Sequence, residues 1–347
     1  MTTAYVAVEG GQVIEARGRV PGTTRGELVF TTAYTGYEES LTDPSYEEQV
    51  LTFSYPLIGN YGVREDRFES GRVHPRGVIA LELTDDVATW LADEDVPAID
   101  HLDTRDLVTE IRDRGAMRCG IAAGPEASVE TAEEELAACK HMSDHADIGE
   151  QVSVDEPAVR PGDGRCTVAL VDCGAKGSII SSLTERGADV HIFPYDVTSA
   201  TIEELDPDLL FISNGPGDPA NFEDAEQVVD DLAGSIPIAG ICLGQQIVAR
   251  SLGGDTTKMA FGHRGVNQPV RDLRTDQVVM TTQNHGYTVD DPGELELTQV
   301  NVNDDTPEGL ESDDLDVLTR QYHPEANPGP HDTLTFFDDA IAMATQE

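Results

Sequence analysis

Ile236-Pro237-Ile238-Ala239-Gly240-Ile241-Cys242-Leu243-Gly244 runs from an apolar stretch, through a glycine-flanked cysteine, into a helix-like segment over 243–252. The order is strand, sharp turn, helix, with the cysteine at the apex. A Gly-x-nucleophile-x-Gly arrangement suits such an elbow, because a side chain close to the turn would collide with neighbouring backbone. The apex faces the positive end of the following helix dipole, where thiolate, the reactive form of a thiol, is favoured. Taken alone the pentapeptide is equally consistent with a buried structural cysteine. The rest of the chain decides between the two.

Working outward, the C-terminal half alternates between two hydrophobic patterns. Strand-like runs cover 167–171, 190–193, 209–213 and 236–241, and helix-like runs cover 178–186, 225–232 and 243–252. This order predicts an α/β domain with a doubly wound, mainly parallel sheet and helices on both faces. Ligands of such sheets bind beyond the carboxyl ends of the strands. Cys242 and the loop Ser213-Asn214-Gly215-Pro216-Gly217-Asp218 both fall at that edge. The N-terminal half reads as a mixed α/β domain, with strands near 5–8, 49–53, 78–83 and 118–122. Helices are expected over 103–112, opened by an Asp or Thr cap, and over 130–139. Periodicity fades and Gly, Pro and Asp accumulate between 143 and 165, so the expected division is 1–142, a linker 143–165, and 166–347.

The chain has 347 residues and a net charge of −44, from 66 acidic against 22 basic residues. Lys140, Lys176 and Lys258 are its only lysines. The acids are dispersed among apolar periodic segments, which speaks against both an acidic tail and disorder. Concentrated salt would screen the self-repulsion, so the composition points to a salt-rich cytoplasm. It excludes nucleic acid and anionic membrane as partners. No apolar run approaches the roughly 20 residues that span a bilayer, and the N-terminus lacks signal-peptide character. A cytoplasmic protein is expected. Cysteines 119, 139, 166, 173 and 242 form an odd set without a C-x-x-C pair, so reduced thiols are expected, not a disulfide framework or zinc ribbon.

A thiolate nucleophile needs a base, and the base needs orienting. Gln321-Tyr322-His323-Pro324-Glu325 supplies both. Pro324 disfavours helix at His323, and in an extended chain residues two apart point the same way. Glu325 can then fix the His323 tautomer and stabilise its imidazolium. By itself His-Pro-Glu reads equally as a surface turn; with Cys242 it completes a Cys–His–Glu triad. The loop Asn214–Pro219 and the Leu243 N–H are candidate donors to a developing oxyanion. Asp172-Cys173-Gly174-Ala175-Lys176-Gly177-Ser178 departs from G-x-x-x-x-G-K-[ST] and reads as a tight first βα turn, not a phosphate loop. His141 and His145 are four apart but lack a third ligand, so no metal is expected there.

Together, Gly-Ile-Cys-Leu-Gly, Ser-Asn-Gly-Pro-Gly-Asp-Pro and His-Pro-Glu resemble the class I, triad-type glutamine amidotransferases. The resemblance extends to the small, glutamine-hydrolysing subunits of carbamoyl phosphate synthetases, over nearly the whole chain. Thr35-Gly36-Tyr37-Glu38-Glu39-Ser40-Leu41-Thr42-Asp43-Pro44-Ser45-Tyr46, the run from Tyr55 to Gly62 and Asp103-Thr104-Arg105 carry it in the first half. Phe261-Gly262-His263-Arg264-Gly265-Val266-Asn267, Asn284-His285-Gly286-Tyr287 and the run from His323 to Asp332 carry it in the second.

The resemblance implies that Cys242 attacks the side-chain amide of glutamine, that His323 serves as base and then acid, and that Glu325 orients it. It places glutamine contacts on Ser45, Gly215, Gly217, Leu243, Gln246, Asn284, Gly286 and Tyr287, with Ser45 reaching the substrate from the N-terminal domain. It also implies a large synthetase subunit as partner, which receives the ammonia and makes carbamoyl phosphate for pyrimidine and arginine synthesis. No cofactor is expected in this subunit; ATP and Mg belong to the partner. Gln245 stands where many relatives have His, and Tyr287 where Phe is common, departures outside the triad. A glutaminase serving another synthase and a non-catalytic regulatory subunit remain as alternatives.

Overall fold

The computed structural model describes residues 2–346. The chain divides into two compact units, Met1–His145 with Ala260–Arg264, and Ala146–Met259 with Gly265–Glu347.

The first unit is built on a closed barrel. Going round it, the strands are Thr2–Val8, Gln12–Val20, Ala98–Asp100, Gly77–Ile79, Gln49–Phe53, Gly22–Thr31 and Met117–Ala123. Alternation along each strand sends Val6, Val8, Leu28, Phe30, Val50, Ile79, Ile99, Cys119 and Ile121 into one shared cluster, which helix Thr104–Arg114 closes with Leu107 and Ile111. The intervening residues Val29, Leu51, Phe53, Val78 and Ala98 pack outward with Val87 and Leu91 of helix Asp85–Asp93. Asp103 caps the first of these helices through Arg105 and Asp106 N–H, as its sequence predicts. The run expected over 78–83 is broken: Gly77–Ile79 stays in the barrel, while Glu82–Leu83 leaves it to pair with Leu57–Ile58. The strand pair Gln12–Val20 and Gly22–Thr31, consecutive in the chain but bonded to different neighbours in the barrel, has no counterpart in the sequence reading. Its polar outer positions, among them Glu15, Arg17, Arg19 and Arg25, dilute the apolar signal that burial of only one face leaves behind.

The second unit carries a ten-stranded sheet in the order Ala158–Arg160, Ala188–Pro194, Cys166–Asp172, Leu209–Ile212, Ile238–Ile241, Val317–Arg320, Pro307–Ser312, Glu296–Asn301, Asp255–Asp272 and Val278–Asp291. From Ala188–Pro194 to Val317–Arg320 neighbours run parallel, and antiparallel strands extend the sheet on either side. Val168, Leu170, Phe211, Ala239 and Ile241 pack on one face with Ile179, Leu183, Phe336, Phe337 and Ile341. The alternate residues Ala169, Val171, Leu210 and Ile212 are equally buried, which is why these strands read as unbroken apolar runs. The second strand lies on one side of the first and the third on the other. That reversal opens a crevice at the carboxyl ends, where Cys173, Ser213 and Cys242 emerge.

Helix Ser199–Leu205, capped by Thr198, completes the alternation where the sequence showed no clear period. The stretch 143–165 holds the short helix Ile148–Val152 and the edge strand Ala158–Arg160. All five cysteines are buried and unbridged. Among the described residues no helix is long and apolar enough to cross a membrane.

Candidate active site

Strand Ile238–Ile241 ends at Cys242, which adopts φ 55° and ψ −106° before helix Leu243–Ser251 begins. A positive φ at a non-glycine residue is unfavourable and persists only where its surroundings over-determine it. Here Cys242 N–H donates to the Arg320 carbonyl at 2.7 Å, and the Cys242 carbonyl accepts the Gln246 N–H at 3.3 Å. Gly244 makes the turn possible, because a Cβ there would lie 2.2 Å from the Ile212 carbonyl oxygen. Gly244→Ala must therefore push strand and helix apart. We expect a loss of about 2–3 kcal/mol in denaturant unfolding, within the usual cost of overpacking.

His323 and Glu325 follow strand Val317–Arg320 and are each 2% exposed. His323 N–H donates to the Thr282 carbonyl at 2.8 Å, holding the residue in an isolated antiparallel bridge to the strand Val278–Asp291. Beyond His323 the chain is not extended as expected: Pro324 and Glu325 form a turn, closed by Ala326 N–H donating to the His323 carbonyl at 3.1 Å. Across this turn His323 Nδ1 lies 2.6 Å from Glu325 Oε1. The other ring nitrogen, Nε2, is buried and at hydrogen-bond geometry with no described residue. Burial pulls the imidazolium down, but the Glu325 carboxylate and the neighbouring Cys242 side chain outweigh it, so the His323 pKa is raised. The Cys242 thiol itself makes one weak contact, a 3.8 Å approach to the Asn284 carbonyl oxygen.

Lys176 is the residue the sequence reading did not assign to this site. Its Nζ donates to Glu325 Oε1 at 3.0 Å and to the carbonyls of Ala326 and Asn327, each at 2.9 Å. Burial pushes the Glu325 carboxyl up; Lys176 first, then His323, more than reverse this and leave it well below the ordinary carboxylate range. Lys176 is positioned by the tight turn that the Asp172–Ser178 stretch predicts. Asp172 Oδ1 accepts the N–H groups of Gly174 and Ala175, and Asn214 Oδ1 accepts that of Lys176. A signal was present: a buried-turn lysine in a chain with three lysines is unlike a solvated surface charge.

The Asn214–Pro219 loop comes directly against the elbow. A Cβ on Gly215 would meet the Cys173 carbonyl oxygen at 2.0 Å and Leu243 Cδ2 at 2.7 Å, so only glycine allows this approach. Gly217, with φ 90°, packs over Ile148. Gln246, on the nucleophile helix, donates through Nε2 to the Tyr287 carbonyl at 2.9 Å and to Gln321 Oε1 at 3.0 Å. That bond ties Asn284, Gly286 and Tyr287, all on the strand Val278–Asp291, to the base of the elbow. Gln245 is also buried on this helix, where its Oε1 accepts from the Thr319 hydroxyl at 3.3 Å. Ser45 belongs to the first unit, in the 3₁₀ turn Pro44–Tyr46, where Asp43 Oδ1 accepts its N–H.

Two family models match the chain. Residues 6–121 match the carbamoyl-phosphate synthase small chain, CPSase domain, and residues 169–343 match glutamine amidotransferase class-I. The carbamoyl phosphate synthase small chain of Halobacterium salinarum is 70% identical over 344 residues, covering 99% of this chain and 97% of that one. Its counterpart from Archaeoglobus fulgidus is 45% identical over 358 residues, with 98% of each chain covered. The one from Methanocaldococcus jannaschii is 42% identical over 348 residues, again with 98% of each covered. The chain belongs to the carbamoyl phosphate synthase small chain family, with a class I glutamine amidotransferase domain as its second half.

Proposed function

We propose that this chain hydrolyses L-glutamine to glutamate and ammonia through a thioester on Cys242, and passes the ammonia to a large synthetase subunit. The observation that carries the reading is the strained elbow presenting Cys242 beside a buried His323–Glu325 pair. An imidazolium next to a sulfur favours thiolate, the attacking form. The thiolate adds to the side-chain amide carbon, and the carbonyl oxygen takes the negative charge. The N–H of Leu243, with backbone donors of the Gly215 loop, would receive it. The C–N bond then breaks, and His323 gives its proton to the departing nitrogen. Water adds to the thioester with His323 taking a proton, and glutamate leaves as the C–S bond breaks. Glu325, held ionised by Lys176, keeps the imidazole in one orientation and stabilises its charged form.

Gln246, Asn284, Gly286, Tyr287 and Gly217 would surround the glutamine, with Ser45 as a further contact carried over from the family motif. The large subunit would use bicarbonate and ATP with Mg to make carbamoyl phosphate for pyrimidine and arginine biosynthesis. The test is glutamate release in molar KCl, with and without that subunit. We expect hydrolysis that rises at least about tenfold when the partner completes the complex. Release that does not respond to the synthetase, but does to another ammonia-using synthase, would assign the chain to that enzyme. No release under any pairing would leave a binding subunit.

A further inference from the structure

Among the described residues of the first unit, four large apolar side chains are exposed: Tyr34, Tyr55, Leu81 and Val129. Three of them leave the barrel at one end. Strands Gly22–Thr31, Gln49–Phe53 and Gly77–Ile79 are parallel neighbours, with Thr31 opposite Phe53 and Thr52 opposite Ile79. Tyr34, Tyr55 and Leu81 follow their carboxyl ends by two or three residues. The loops that carry them are tied to one another. Gly36 N–H donates to the Tyr61 hydroxyl at 2.6 Å, the Tyr37 and Tyr61 rings stack at 4.4 Å, and Leu57–Ile58 pairs with Glu82–Leu83. The fourth parallel strand, Ala98–Asp100, joins them, since His101 N–H donates to the Leu81 carbonyl at 2.9 Å. The charge pattern singles out the same end. The chain has 66 acids in 347 residues, about one in five, yet 28–37, 49–64 and 70–81 contain none. These are the segments that run up the three strands and off their ends. Of the acids that close them, Glu38 is buried, while Glu65 and Glu82 are exposed.

We propose that the barrel end presenting Tyr34, Tyr55 and Leu81 is the surface on which the large synthetase subunit docks. This rests on the reading of that subunit as the partner. A surface that meets only salt water can carry carboxylates anywhere, whereas covering a carboxylate with protein is costly. Interface cores are accordingly poor in charge and rich in tyrosine, and an exposed apolar patch marks a face that something covers. Molar salt shortens the reach of charge pairs to about 3 Å, so docking there must rest on apolar contact. The loops are already laced together in the free chain, so they lose little freedom when a partner arrives. The barrel is also the half that sets this chain apart from a bare class I amidotransferase, because 6–121 match the small-chain model and 169–343 the general glutaminase model. Choice of synthetase therefore falls to the barrel.

The test is the Kd between the full chain and the large subunit in molar KCl, by sedimentation velocity, for the wild type, Tyr34→Asp, Tyr55→Asp, Leu81→Asp and Val129→Asp. The first three should each weaken binding about tenfold or more, and Tyr34→Asp with Leu81→Asp at least about a hundredfold, as for anchors of an interface core. Val129→Asp, an equally exposed apolar position on the helix that packs over Gly120, should stay within about twofold. Hydrogen exchange of the wild type needs no variant: amides of 54–57 and 80–83 should gain protection when the large subunit binds. Wild-type binding with no such protection, and with the Asp variants as tight as Val129→Asp, would overturn the docking surface alone. So would loss of self-association in the variants with affinity for the large subunit unchanged, which would make a second copy the occupant. A wild type that binds no large subunit would instead remove the partner on which the proposal rests.

Discussion

Cys242→Ser is expected to lower glutamine hydrolysis by more than about 10⁴-fold, a loss of the size seen when a covalent nucleophile is removed from an otherwise intact triad. The substitution is nearly isosteric, and the sulfur makes only a weak contact to the Asn284 carbonyl, so the elbow and core should fold unchanged. A hydroxyl keeps its proton far more tightly than a thiol, so the thiolate–imidazolium pair with His323 has no counterpart in the serine variant. Carbamoyl phosphate synthesis from added ammonia by the complex should persist, because that chemistry belongs to the partner. Parallel assays with glutamine and with ammonium salt separate the two. Retention of more than about a tenth of the glutamine-dependent rate would mean that the attacking group lies elsewhere.

Lys176→Met should be the most damaging single change to stability within the site. It leaves the Glu325 carboxylate buried with His323 as its remaining charged partner and frees the carbonyls of Ala326 and Asn327. Breaking a buried pair from one side costs about 3–5 kcal/mol. The pH dependence carries the same signature. The Glu325 carboxyl has its pKa lowered from 4.5 to about 2 on folding, so its contribution is fully present above the unfolded value and is lost as pH falls from 4.5 toward 2. Without the ammonium group the folded pKa rises, and acid unfolding should begin at higher pH than in the wild type. Circular dichroism across an acid titration, at fixed high KCl, reads both effects. An unshifted acid midpoint would show that Lys176 does not hold the carboxylate.

Much of the site was legible because its parts are local. Gly240–Gly244 declares an elbow by glycine placement, and the Gly244 contact with the Ile212 carbonyl is the collision that reasoning anticipates. His323 and Glu325 meet across the turn at Pro324–Glu325 and not along an extended chain, but the pairing is still a matter of adjacent residues. Lys176 escaped because its partners are about 150 positions away, and no local spacing encodes a bond across the sheet. Thr282, whose carbonyl holds His323 N–H, was missed for the same reason. The parallel strands were readable as buried apolar runs. The Gln12–Val20 hairpin strand was not, since a strand buried on one face and lined with arginine and glutamate on the other resembles loop. Barrel closure is still less local: it depends on pairing Thr2–Val8 with Met117–Ala123.

The most direct measurement is acid quench of the wild-type complex during turnover of radiolabelled glutamine, followed by peptide mapping. Nucleophilic catalysis by Cys242 predicts a glutamyl adduct on the peptide containing that residue, labile to hydroxylamine and absent from Cys242→Ser. Rapid glutamate formation with no adduct there, or an adduct on a different peptide, would contradict it.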